Sequence, residues 1–505
     1  MKYMAKTASA VLLVGCVFML SGCQERPEAG SSQLVYVADK LPPESKDTSA
    51  QTMYQPEAPA DPLLDAYAAQ YDKTHAKTVA PVKAAAKPAA PAPKADPVLA
   101  AKEDIEAAKK RIAELRGSVK TTKNGAITAI TVESADATLD DMKLFGRLLD
   151  LESISFLGSN FTDEYLAQFK DLKKIKSVTV QNASITGATL EMLTGFPELT
   201  TLDIRRDLQL VNKDLGVVAN MPKLEKLAAY YNSFSSIAAK RIATSPSLKV
   251  VDLRACSDVS DSAAKYLATM PTLEEVYFRF LITNDGVEKL AEAPALKFIE
   301  LQDCPIDNGC ADALLKFPAL TGVRVFRSKA FDDAGVQKLA SLKLERLELR
   351  DLNVSNAGVL PLAEMTSLKS VELSELSNVD AEALKTVCTA WKDIETLNFF
   401  SMSTDDEVVK TLCSNMKNLK SLTLRASVGK LTDASIDEIV KLENLTTLDL
   451  RENAGFTVDG MMKLANMKNL RKIYIKGTVL GDSSAEIKAK LDEFKKINPK
   501  VSFSN

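Results

Sequence analysis

A chain of 505 residues exceeds one ordinary compact domain, which leaves a multidomain protein, a repeat solenoid, or a domain with long unfolded parts. Its 64 basic and 67 acidic residues give a net charge of -3, so no overall basic field gathers nucleic acid and no such partner is expected. The single histidine, His75, falls in a Pro/Ala/Lys-rich stretch, which leaves the folded part without an imidazole for general-base catalysis, a Ser-His or Cys-His nucleophile, or His-ligated zinc.

Lys2 and Lys6 precede an apolar run from Ala8 to Leu20, which is short for a bilayer span and shaped like the core of a signal peptide. The run closes on Leu20-Ser21-Gly22-Cys23, which resembles the lipobox of bacterial lipoproteins. An ordinary secretory cleavage would instead show an A-x-A-like site. The resemblance implies that residues 1-22 are removed and that Cys23 receives a diacylglycerol, holding the chain on the bacterial cell envelope. Gln24, not Asp, follows the cysteine, which in that family's sorting rule points to the outer membrane and leaves open its periplasmic or outer side.

Residues 23-98 read as a lipid-anchored tether. Eleven of the twenty prolines lie between Gln24 and Pro97, with no Ile, Phe, Trp or Cys, so little apolar surface offsets the entropy of ordering. Its last nineteen residues, Val79 to Pro97, favour an extended chain of about 3.1 Å per residue, or roughly 60 Å. Lys83, Lys87 and Lys94 could touch an anionic envelope polymer, although solvated linker lysines are the commoner case. Residues 99-126 then hold a helical pattern with Ile105, Ala108, Ile112 and Leu115 on one face and Gly117 as a stop. It reads as a capping helix; a dimerising coiled coil would need more than its two heptads.

From 127 to 481 one pattern repeats. A core of the form L-x-x-L-x-L begins at Ile127, Leu151, Ile175, Leu199, Leu224, Leu248, Leu273, Leu296, Leu320, Leu344, Leu368, Ile394, Leu419, Leu445 and Leu470, which makes fifteen repeats of 23 to 26 residues. Each second half opens with a Ser or Thr, often followed by Asp, and continues with apolar residues at i, i+3, i+4, as in LTDASIDEIVKL. Pro197, Pro222, Pro246, Pro271, Pro294 and Pro318 each stand two residues before the next leucine, where a ring that cannot continue a helix ends it.

These residues resemble the leucine-rich-repeat superfamily, in particular its ribonuclease-inhibitor-like and cysteine-containing branches. Asn232, Cys256, Cys304 and Asn453 stand eight residues after the first leucine, where those branches place Asn or Cys; other repeats depart from this. The fold implied is an α/β solenoid with a curved parallel sheet on the concave side and helices on the convex side. Residues 482-505 supply a terminal cap, with Ile487, Leu491 and Phe494 on one helical face. Cys256, Cys304, Cys310, Cys388 and Cys413 are odd in number and form no CxxC pair, so they read as small core residues and not as a metal or redox centre.

Numbering from the first leucine, the fourth and sixth following residues should face outward. These columns select Arg205, Tyr230, Arg254, Tyr277, Arg279, Arg324, Phe326, Arg350, Arg425, Arg451 and Lys476 as candidate ligand contacts, interleaved with Asp203, Asp252, Glu300, Glu348, Glu372 and Asp449. A charge-balanced ladder that only solvates the sheet would look the same. The binding alternative draws on Arg, Tyr and Phe as interface anchors. In the sixth-residue column Arg425, Arg451 and Lys476 form a basic track with only Asp449 beside it, which would suit an anionic partner. The arginines should also depress the neighbouring carboxyls, against any glycosidase dyad.

The sequence therefore points to a lipid-anchored envelope protein that binds a protein partner on its concave face, without catalytic residues, metal or cofactor. A structural or glycan-binding envelope component is the alternative, weakened by the presence of one tryptophan, Trp391. Cys23→Ser is expected to release the protein from the membrane fraction or to stall it as precursor, because acyl chains and not a helix would hold it there. Fractionation checks this, and mature-sized, membrane-bound Cys23→Ser protein would contradict it.

Overall fold

The computed structural model describes residues 97-256 and 258-504, within a compact unit that begins at Val82. The signal peptide, Cys23, His75 and the tether lie outside the described residues. Fifteen strands, one for each repeat from Ile127–Val132 to Lys472–Tyr474, pair in chain order and in parallel. Register is constant along the array: Leu202 stands opposite Val178 and Leu227, and Glu348 opposite Arg324 and Glu372. The strand Ser118–Thr121 adds antiparallel at the first repeat, and Ser502–Ser504 adds in parallel at the last. The chain is an α/β leucine-rich-repeat solenoid.

The reason is the placement of the leucines. Leu445, Leu448 and Leu450, at the first, fourth and sixth positions of their repeat, are fully buried, and their equivalents merge into one core running from Ala108 to Val501. Strands pack about 4.8 Å apart but helices need about 8 to 10 Å, so the array curves with the sheet inside. At the seventh residue after the first leucine, twelve successive repeats from Asn182 to Glu452 hold a non-glycine residue in the left-handed region, with φ between 51° and 85°. This turn takes the chain off the sheet.

The residue after that turn is buried and ties neighbouring repeats together. Asn232 donates to the carbonyls of Ile204 and Ala229 (2.6 and 2.9 Å) and accepts from the Asp207 amide (2.7 Å). Asn453 repeats the arrangement on Leu424 and Leu450. Asp207 occupies the same column one repeat earlier, where its Oδ1 accepts from the Ala183 amide (2.7 Å) and its Oδ2 has no partner among the described residues. The amide nitrogen of an asparagine would find carbonyls there; a carboxylate oxygen finds only repulsion. Burial pushes the Asp207 carboxyl up to about 7.

Helix starts are cross-linked as well. Thr432 caps its own helix by accepting from the Ala434 amide, and Asp433 beside it accepts from the amide and hydroxyl of Thr457, the cap of the next repeat (2.9 and 2.5 Å). Asp163, Asp261, Asp333 and Asp406 do the same for Thr186, Thr283, Ser355 and Thr432. Burial opposes ionisation of Asp163 and Asp406, but the hydrogen bonds they receive outweigh it and hold both carboxyls below the ordinary range. The Ser/Thr-Asp pair thus joins repeats as well as starting helices. Gly286 leaves room for the Asp261 carboxylate, which a Cβ at that point would overlap.

Not every repeat keeps an α-helix. Residues Asn212–Asn220 form a 3-10 helix, with Gly216, Val217 and Val218 disfavouring the α form. Pro361 breaks another helix after Val359, and the chain continues as the 3-10 turn Leu360–Glu364. At the ends, the helix Pro97–Glu114 buries Ala108 and Ile112, and its Arg111 grips Asp141 (2.7 and 3.1 Å). The helix Ala485–Ile497 buries Ile487 and Phe494. Trp391 is buried, its indole donating to the Leu362 carbonyl (3.0 Å). The five described cysteines are free and buried, as their spacing suggested, and burial pushes the Cys256 thiol to about 11 and those of Cys304 and Cys413 to about 12.

Two substitutions test this account. Gly286→Ala should destabilise the protein by about 1 to 3 kcal/mol through overlap with Asp261, read as a lower unfolding midpoint. Asp207 has a raised folded-state pKa, so its protonated form stabilises the fold below about pH 4 and that contribution is lost as pH rises through 7. Asp207→Asn should remove that loss: the variant is expected to be the more stable protein above pH 7, by a margin that vanishes near pH 4, in denaturation series across pH.

Candidate binding face

The strands expose three positions, not two. In Thr201–Arg205 the burial alternates so that Thr201, Asp203 and Arg205 face outward, the second, fourth and sixth residues after the leucine. Repeats at the N-terminal end show small uncharged side chains there, such as Ser153, Ser155, Ser177 and Thr179. From Thr201 to Glu375 the outward columns and the left-handed residue that follows them carry nine basic and nine acidic residues interleaved with aromatic rings.

The arginines are committed to carboxylates on the same face. Arg205 bonds Asp203 (2.7 Å) and the Tyr230 hydroxyl (2.6 Å). Arg254 holds both oxygens of Asp252 (3.0 and 2.7 Å), reaches Glu300 (2.8 Å), and lies within 5.3 Å of the Tyr230 and Tyr277 ring centres. Arg324 contacts the other oxygen of Glu300 (3.3 Å) and Glu348 (3.1 Å). Tyr277 donates to Glu275 (2.6 Å), and burial together with that carboxylate raises its phenol well above the ordinary range. Glu300, 2% exposed, is the acid that two arginines share. Tyr230, Arg254, Tyr277 and Arg324 are thereby brought into one patch.

Arg205 belongs to it through Tyr230, Phe326 borders it under Arg324 (5.8 Å), and the other candidates fall outside. Arg279 turns to Asp303 (2.6 Å), and Phe326 is buried beneath Arg327 and Arg350 (4.2 and 4.7 Å). Arg350 pairs with Glu375 (2.6 Å). The basic track is largely neutralised: Arg425 pairs with Glu452 (2.6 Å) and lies over Phe400, and Arg451 is held by both oxygens of Asp449. Lys476 is exposed and has no ion pair among the described residues. The neutralising Glu452, like Asp303 and Glu375, is a left-handed residue one step beyond the outward columns, which strict alternation does not count. The second-residue column was also missed; it carries Phe298 under Arg346 (4.1 Å), and Arg346 in turn bonds Glu348 (2.5 Å). A strand that begins two residues after the first leucine would have revealed it.

The expected depression of the ladder acids fails at two of them. Burial raises the carboxyls of Asp203 and Glu372 above their ordinary values despite Arg205 beside the one and Arg324 near the other. Desolvation wins because little of either side chain reaches solvent.

No protein-family model matches the chain, and no curated protein does. Among solved structures it resembles a chain of the yeast Rad7 and Elc1 complex, at 15% identity over 90% of this chain and 98% of that one, with a TM-score of 0.48. It also resembles an internalin of Listeria monocytogenes, at 17% identity over 68% of this chain and 88% of that one (TM-score 0.38). A leucine-rich-repeat protein of Leptospira interrogans matches at 16% identity over 72% of this chain and 92% of that one (TM-score 0.31).

Removing the shared acid should expose the cohesion of the patch. Glu300→Gln leaves Arg254 and Arg324 short of a carboxylate in a buried setting and should cost about 3 kcal/mol, seen as a lowered unfolding midpoint. Glu382→Gln, which breaks an exposed pair with Lys385, should leave that midpoint unchanged.

Proposed function

We propose that this chain is a lipid-anchored envelope protein whose sheet face binds another protein, and that it works by recognition and not catalysis. One observation carries the reading: Tyr231 and Phe280 are 41% and 39% exposed, and both are held in left-handed backbone at the rim of the arginine-aromatic patch. The left-handed turn is common to twelve repeats, and these two stand out because they turn large aromatic rings to solvent there. Arg279 joins them, lying 4.3 Å from the Phe280 ring centre and 3.4 Å from the Tyr231 hydroxyl. Leu281 beside them is 43% exposed. Aromatic and arginine anchors amid satisfied polar groups are the composition of protein interfaces.

The charge balance of the face supports a protein over a polyanion, and so does the pairing of Arg425 and Arg451. Trp391 is buried, so it gives no stacking platform to a glycan. Anchoring through Cys23 and an outer-membrane location remain part of the proposal, on the strength of the lipobox resemblance and Gln24.

The double variant Tyr231→Ala, Phe280→Ala should fold normally by circular dichroism, since both rings are exposed and alanine meets the left-handed turn with the same Cβ. Crosslinking in intact cells should show at least tenfold less of the partner retained by the wild type. Undiminished retention would defeat the proposed anchor pair.

A further inference from the structure

The outward charges of the patch form a connected set that does not balance. Asp252, Arg254, Glu300, Arg324, Glu348 and Arg346 are linked in turn by contacts of 2.5 to 3.3 Å. Glu372 is the seventh member, touching the set only through Arg324 at 4.0 Å. Four carboxylates thus meet three arginines, and the surplus negative charge sits at the Glu372 end. The register puts Glu372 directly opposite Glu348, a like charge, on one side and Asn398 on the other. Arg350 acts on Glu372 only through space, because it is bonded to Glu375, and Arg425 is bonded to Glu452, each at 2.6 Å.

Beyond Glu372 the sheet is lined by short side chains. Asn398 and Thr423 continue its column, Thr396 and Ser421 stand in the column beside it, and Asp449 is the next acid in register. In these two columns a notch of short side chains runs from Arg346 and Glu348 to Asp449, four strand spacings or about 19 Å, with Phe400 beneath Arg350 and Arg425 in the column beside it. A carboxylate short of a cation and a floor of short polar side chains occur together.

We infer that Glu372 and this notch receive a basic side chain, lysine or arginine, from the bound protein. The inference rests on the protein-binding reading above and adds the charge of the contact. An incoming ammonium or guanidinium completes the count at four against four. It also relieves the opposition of Glu348 and Glu372, in a setting where charge-assisted bonds are strong.

The test uses the full-length chain in cells, with a photoreactive phenylalanine analogue at Phe280 to capture the partner. A carbodiimide arm, which joins carboxylates directly to amines, is read by mass spectrometry. Glu372→Gln removes a surplus buried charge and so should fold. Capture is expected to fall at least fivefold in this variant and to stay at wild-type level in Glu382→Gln, whose carboxylate lies on a helix and pairs with Lys385 there. A carbodiimide link from Glu372 to a partner lysine, absent from the variant, identifies lysine; the capture loss without such a link identifies arginine. Equal capture in Glu372→Gln and wild type overturns the inference and leaves the binding face standing. Absence of capture by the wild type at Phe280 overturns both.

Discussion

In a parallel sheet held in constant register, every side chain is flanked by its own equivalents from the repeats before and after it. This constraint governs the protein. Where a column is apolar it is harmless, since leucine stacks on leucine and the core grows by one layer per repeat. Where a column is polar, identical neighbours would set like charge against like. The face between Thr201 and Glu375 resolves this, except where Glu348 meets Glu372, by interleaving arginine with carboxylate and by setting guanidinium groups over aromatic rings, as Arg254 lies over Tyr230 and Tyr277.

The same constraint shapes the loops. Asparagine eight residues after the first leucine suits a column because it both donates and accepts, so each copy satisfies backbone of its own and the preceding repeat. Asp207 keeps the acceptor and loses the donor, and its displaced acidity follows from burying a carboxylate whose second oxygen finds no partner among the described residues. The aspartate at the helix start is the reverse case. There only acceptors are needed, because the neighbouring cap offers an amide and a hydroxyl, and aspartate serves better than asparagine.

Most of the architecture was legible in the sequence because the leucine period reports the strands directly, and fifteen first leucines gave fifteen strands. The candidate face was legible only in part. Alternation marked Tyr230, Arg254, Tyr277 and Arg324 as outward neighbours, and the structure joins them. It could not show that Phe326 is roofed over by Arg327 and Arg350, since a roof depends on side-chain directions in adjacent repeats. Nor could it count Asp303, Glu375 and Glu452, which leave the strand before they turn back toward the face. The apparent basic track at Arg425 and Arg451 arose from that omission.

The left-handed turn at the end of each strand has a consequence for how such an array can change over time. An ordinary residue sits there against its own preference in twelve repeats, yet none of those backbones can relax, because the next strand must start in register. Each position can therefore accept glycine or asparagine with a gain in stability and without disturbing the core. The rim holds a row of independent sites where residues chosen for contact can be exchanged for residues chosen for rigidity, one repeat at a time. A protein built this way can revise what its edge touches while its interior stays fixed.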